Sequence, residues 1–130
     1  MKKEDIQSKI IEMQVIENKL KQLDQQLNLV DQQLVEDTKL ESNLKDLEDK
    51  PKSEAIFPLG GGIFARGSLD KPDKVLVSVG SGILIEKSIK DGLKTLDKRK
   101  NRLVEAKEEL GNHVKKLLNS MGELEKTIRS

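Results

Sequence analysis

Two glycine clusters, Gly60-Gly61-Gly62 and Gly80-Ser81-Gly82, are the first places in this 130-residue sequence to look for chemistry. Glycine amides can close around a phosphate. Neither cluster is followed by the Lys-Ser/Thr of a P-loop or has the spacing of a dinucleotide fingerprint, so both read as hairpin turns. His113 is the sole histidine and there is no cysteine. One imidazole without thiolates is not a metal constellation, and the chain offers no thiol nucleophile and no disulfide. His113 reads as solvent-facing or as flanking a helical seam. The densest basic run is Lys98-Arg99-Lys100-Asn101-Arg102. Glu105, Glu108 and Glu109 follow within two helical turns and no aromatic side chain is interleaved for base stacking, so the run reads as a solvated helix face. Carboxylates are plentiful, yet they lie along helical surfaces that imply no cleft for paired acid–base work. No catalytic residue, no metal and no cofactor is expected, and the chain does not read as an enzyme.

Composition agrees with that reading. Charged residues make up 36% of the chain, 24 basic against 23 acidic, and the only aromatics are Phe57 and Phe64. The charges nearly cancel, so no nucleic-acid footprint emerges, and so few aromatics argue against a broad globular core. No apolar run approaches the ~20 residues of a membrane span. Met1-Lys2-Lys3 is followed by Glu4 and Asp5 and not by the apolar segment of a secretory signal. A soluble, cytoplasmic protein with no membrane contact is the expectation.

Three segments can be separated: 1–50, 51–86 and 87–130. In the first, Ile6, Met13, Leu20, Leu27 and Leu34 recur every seven residues, with Ile16, Leu23, Val30 and Leu44 three places on. These are the a and d positions of a coiled-coil seam. Lys9, Asp37 and Glu41 interrupt it, and Leu40, Leu44 and Leu47 are read as resuming in a shifted phase after a stutter near Asp37. Pro51 is expected to end the helix. Ile10, Ile11 and Val15 add apolar surface near the start beyond what a narrow seam uses.

The last segment repeats the theme. Ile89, Leu96, Leu103, Leu110, Leu117 and Leu124 hold one heptad position, and Leu93, Val114, Met121 and Ile128 the other, with Lys100 and Lys107 as polar interruptions. The helix is expected from about Lys87, with Ser88 and Asp91 as a capping box. Gly92, Gly111 and Gly122 each weaken it by about 1 kcal/mol relative to alanine. Two helices of similar length joined by a compact insert pair most economically antiparallel, with Leu47 near Ile89 and Ile6 near Ile128.

Between them, Ala55–Leu59 and Ile63–Leu69 flank the triple glycine, and runs at Val75–Val79 and Ile83–Ile85 flank Gly80-Ser81-Gly82. Asp70-Lys71-Pro72-Asp73 reads as the turn joining the two pairs. Four strands in two hairpins follow, with Val75, Val77 and Val79 on one face and Leu76 and Ser78 on the other. Both faces carry apolar residues, and an isolated hairpin is marginal in water. The insert is therefore expected to complete its sheet with strands from other chains. The expected fold is α+β: a long antiparallel coiled coil of two helices joined by two β-hairpins that contribute to an intersubunit β-barrel platform. Its expected oligomerisation residues are Ile56, Phe57, Leu59, Ile63, Phe64, Val75, Val77, Val79, Ile83 and Ile85.

The order of long helix, two hairpins and long helix, together with Phe57-Pro58-Leu59-Gly60-Gly61-Gly62-Ile63-Phe64 and the run from Asp73 to Lys87 with its Val-x-Val-Gly-x-Gly core, resembles the α-type subunit of the prefoldin family. The likeness covers essentially the whole chain; the β-type subunit of that family has one hairpin. It implies a hexamer of two α and four β subunits, hence β-type prefoldin partners and a second α subunit. It also implies ATP-independent capture of unfolded polypeptides and their delivery to a group II chaperonin. On that reading, clients meet the paired helix ends at Ile6, Ile10, Ile11, Met13, Val114, Leu117, Leu118, Met121, Leu124 and Ile128. The alternative is a coiled-coil scaffold or assembly adaptor that binds no client.

Overall fold

The computed structural model describes residues 2–49, 53–70 and 73–129. Its elements run α1 (Lys3–Asp49), β1 (Ser53–Gly60), β2 (Ile63–Leu69), β3 (Lys74–Ser78), β4 (Leu84–Ser88) and α2 (Ile89–Arg129). The two helices and two hairpins are those read from the sequence. The helix stop at Lys50 and Pro51, and the Lys71-Pro72 step of the inter-hairpin turn, lie outside the described residues. The chain divides into two compact units, one of residues 1–35 with 100–130, the other of residues 36–99.

In the first unit the seam positions of both helices are half-buried. Ile6, Met13, Ile16, Leu20, Leu23, Leu27 and Val30 in α1 answer Leu103, Leu110, Val114, Leu117, Met121, Leu124 and Ile128 in α2. Ile10 and Met13 share a cleft with Ile128, so the start of α1 lies beside the end of α2 and the helices are antiparallel here. Lys9, read as an interruption, is half-buried at its seam position. Lys100, also in seam phase, is half-buried, whereas Lys107 is exposed; the Lys107 Nζ reaches Asp31 Oδ1 across the pair at 2.7 Å.

The second unit holds the most deeply buried side chains. Leu44, Ile89 and Leu96 form a small core, against which Leu47, Val75 and Leu93 pack. Burying each of the three contributes about 1.5–3 kcal/mol. The expected neighbourhood of Leu47 and Ile89 is thereby met. β4 passes directly into α2, and Ser88, not Lys87, marks the junction. The Asp91 amide donates to Ser88 Oγ at 3.1 Å, the arrangement of a helix N-cap. The Ile89 amide donates to the Asp73 carbonyl at 2.9 Å, tying the first turn of α2 to the residue before β3.

The stutter near Asp37 is not present. Buried or half-buried positions continue from Leu34 through Asp37 and Glu41 to Leu44 at the same three-and-four spacing, while Leu40 is exposed. Asp37 does not break the seam; it occupies a seam position as a buried charge.

Each hairpin is a separate two-stranded antiparallel sheet, β1 with β2 and β3 with β4. In the first, Phe57 pairs with Ala65 and Pro58 with Phe64, and the register shifts between Pro58 and Gly60. A proline is tolerated there because β1 has an unpaired edge and a bulge adjoins it. Gly61 and Gly62 have φ of 59° and 79°, the left-handed geometry that a tight hairpin turn demands at both central positions. Phe57 lies across Gly67, whose missing side chain makes the room: a Cβ there would stand 2.5 Å from Phe57 Cε2. In the second hairpin Val77 pairs with Ile85 and Leu76 with Glu86, and the Val79 amide donates to the Ile83 carbonyl at 3.0 Å.

Candidate functional site

Three features carry the functional argument: the hairpin surfaces, the paired ends of the helices, and one buried ion pair.

The hairpins leave apolar side chains uncovered. Ile56, Leu59, Ile63 and Phe64 are each exposed by more than three-fifths, and Phe57, Val79, Ile83 and Ile85 are exposed as well. Uncovered apolar side chains of this kind are characteristic of interaction surfaces, and the outer edges of each two-stranded sheet are unpaired. Val75 and Val77, which the sequence groups with them, are half-buried and turn towards the chain's own helices. Val75 packs on the core, and both border an apolar cleft of about 400 Å³ with Leu40, Leu44, Leu96 and Arg99. Val79 lies beyond the end of β3 and is exposed. Leu76 and Leu84 were not among the expected contact residues, yet they are exposed on the opposite face. The alternation of β3 puts Leu76 out once Val75 and Val77 point in, but strand periodicity alone does not say which face the helices cover.

At the paired helix ends, Ile10, Ile11 and Leu118 are exposed, and Val15 joins them. Ile6, Met13, Val114, Leu117, Met121, Leu124 and Ile128 are half-buried along the seam. The structure therefore brings the ten expected client-contact residues to one unit, but seven of them already serve the helix–helix contact. Ile10, Met13, Gln14, Glu17, Glu125, Ile128 and Arg129 line an open cleft of about 400 Å³ there. His113 lines a smaller cleft of about 240 Å³ with Lys19, Gln22, Leu23, Gln26 and Leu117, flanking the seam.

The ion pair lies in the other unit. Arg99 Nε donates to Asp37 Oδ2 at 2.8 Å and Arg99 Nη2 donates to Asp37 Oδ1, a two-pronged contact between α2 and α1. The Asp37 side chain is 1% exposed and that of Arg99 is 51% exposed, so the arginine stem lies over the seam while part of its head meets solvent. The hydrogen bond to Asp37 is the main reason that the Arg99 guanidinium is held protonated even more firmly than usual. Sequence reading took Asp37 as an interruption and Arg99 as part of a solvated basic run. An acidic residue in seam phase was the available signal.

Among the described residues no group of three or more His, Cys, Asp or Glu side chains is placed to hold a metal, and no helix is long and apolar enough to cross a membrane. What the chain presents is exposed apolar surface, on the hairpins and at the paired helix ends among other places, on a frame of two helices and two hairpins. That frame recurs in known proteins. The family model described as "Prefoldin subunit" matches residues 16–130. The chain therefore belongs to the prefoldin family, whose members are non-enzymatic chaperone subunits. Within that family it is an α-type subunit, the type that its two hairpins match. Prefoldin subunit alpha of Methanobrevibacter smithii is 32% identical over 102 residues, spanning 78% of this chain and 70% of that protein. Prefoldin subunit alpha of Thermofilum pendens is 36% identical over 87 residues, spanning 67% of this chain and 66% of that protein. A chain of the filamentous PFD from Methanocaldococcus jannaschii, solved by cryo-EM, shares the fold. Its TM-score is 0.58 at 22% identity, over 95% of this chain and 98% of that one. The family match begins at residue 16, so Ile6, Ile10, Ile11 and Met13 precede it.

Proposed function

We propose that this chain is the α-type subunit of a cytoplasmic α2β4 prefoldin hexamer that holds unfolded polypeptides at the paired ends of its helices and passes them to a group II chaperonin without nucleotide hydrolysis. The observation that carries the reading is the uncovered apolar surface at those ends: Ile10, Ile11, Val15 and Leu118 beside a cleft floored by Ile10, Met13 and Ile128. A nonnative chain exposes apolar segments, and several such ends in one assembly each add a weak contact, so avidity supplies affinity without a deep pocket. Met13 and Met121 suit this role because an unbranched thioether adapts to varied partners. The exposed hairpin side chains supply the assembly surface, and strands from β-type subunits and the second α subunit complete the sheet.

Removing residues 1–12 together with 119–130 leaves the second unit's core untouched. The truncated protein is expected to assemble with a β-type subunit yet to protect a denatured client from aggregation less well. Unchanged protection by a properly assembled truncation defeats the client-holding reading and leaves a scaffold.

A further inference from the structure

The cleft at the paired helix ends has an apolar floor and a charged rim, and the rim is not neutral. Glu17 of α1 and Glu125 and Arg129 of α2 line it together with Ile10, Met13 and Ile128. The two carboxylates and the guanidinium are exposed and form no ion pair among the described residues. Two carboxylates thus line the cleft with one guanidinium. About 400 Å³ of open volume takes a side chain or two of an extended segment, not a compact ligand, so residues flanking the inserted one must pass the rim.

We infer that this cleft selects among unfolded segments by charge, taking an apolar side chain flanked by lysine or arginine in preference to one flanked by aspartate or glutamate. The inference rests on the client-holding reading above and names the client class that it favours. An exposed ion pair shifts an equilibrium by about 1.5- to 5-fold at low salt. Two such contacts per segment give a preference of roughly two- to twenty-fivefold, centred on three- to tenfold, and salt screens it. The apolar contact is not screened, so high salt removes the discrimination and not the binding.

The test uses three labelled peptides with one shared apolar core, flanked on both sides by two lysines, two glutamines or two glutamates. They are titrated by fluorescence anisotropy against the full-length chain in its assembled form. The expected order of affinity is lysine, glutamine, glutamate, spanning three- to tenfold at low salt and collapsing to within twofold in about 0.5 M salt. In Glu17→Gln/Glu125→Gln, whose altered side chains are solvent-exposed and whose fold is checked by circular dichroism, the three peptides are expected to bind alike. Equal affinities in the parent protein, a reversed order, or a preference that persists in the double variant overturns the inference while leaving client holding in place. Failure of all three apolar peptides to bind overturns the client-holding reading itself, and this inference with it.

Discussion

Replacing Arg99 by alanine is expected to destabilise the second unit far more than replacing Asp37 by leucine, although the two side chains form one contact. Two unit charges ~4 Å apart attract by about 4 kcal/mol at an effective dielectric constant of ~20. Against this stands the desolvation of the Asp37 carboxylate, several kcal/mol for a group at 1% exposure. Arg99, half in water, gives up much less. Arg99→Ala therefore removes this attraction while most of the desolvation stays, a loss of about 3 kcal/mol, at the lower end for broken buried pairs because the shortened side chain admits water. Asp37→Leu removes the buried charge itself, fills its place beside the Leu44 core and lets the arginine head turn to solvent. Its expected change is within about 1 kcal/mol. The double variant should resemble the leucine variant alone. Urea unfolding followed by helical circular dichroism, at one fixed protein concentration because assembly contributes to stability, measures all four proteins. Amide exchange at Leu44, Ile89 and Leu96 reports the affected core. Equal losses for the two single variants, or a loss below about 1 kcal/mol for Arg99→Ala, would refute the assignment of a desolvated carboxylate. The pH arm has a definite sign. The Arg99 pKa is raised by its bond to Asp37, so its contribution is complete below the unfolded value and is lost only as strong alkali passes the folded one. Titration from neutrality to about pH 10 should leave the pair's contribution unchanged.

A Cβ at Gly111 or Gly122 would meet nothing within 4 Å, so Gly111→Ala and Gly122→Ala should each stabilise α2 by about 1 kcal/mol in the same unfolding assay. No gain from either would mean that these glycines have packing partners outside this chain. Gly67→Ala puts a methyl group 2.5 Å from the Phe57 ring; the ring should be displaced, with altered aromatic proton shifts and weaker association with a β-type subunit. Ser88→Ala removes the acceptor for the Asp91 amide and should reduce stability by about 1 kcal/mol, read from the urea midpoint. Ile63→Asp combined with Phe64→Asp places one charge on each face of β2, at two exposed positions; the light-scattering mass should fall below that of the parent assembly while the helical signal of the chain persists.

Most of the frame was legible because it is local. Seven-residue recurrence of leucine, isoleucine and methionine specifies a helix with one apolar stripe, and valine runs broken by glycine specify hairpins, whatever those elements later touch. Ile63–Leu69 was found at its observed limits, and the Ser88 cap was read from a serine followed three places later by aspartate. Asp37 was misread for a physical reason. In a seam pattern a carboxylate is a missing contact, and the compensating guanidinium lies 62 residues away, within a run whose composition speaks for solvent. The oligomerisation set was mixed for a similar reason: alternation divides β3 into two faces but does not rank them, so the half-buried Val75 and Val77 were grouped with side chains that are exposed.

By itself the sequence determined that this protein is two amphipathic helices around a small hairpin insert with too little apolar matter for a broad core. Those properties depend on neighbours within a turn or a strand. Only tertiary structure decided which face of β3 the helices cover, that Asp37 is desolvated and held by Arg99, and that Glu17 and Glu125 flank one apolar cleft. Each of these depends on which distant surface excludes water from a given side chain, and solvent exclusion belongs to the packed pair of elements and not to either alone.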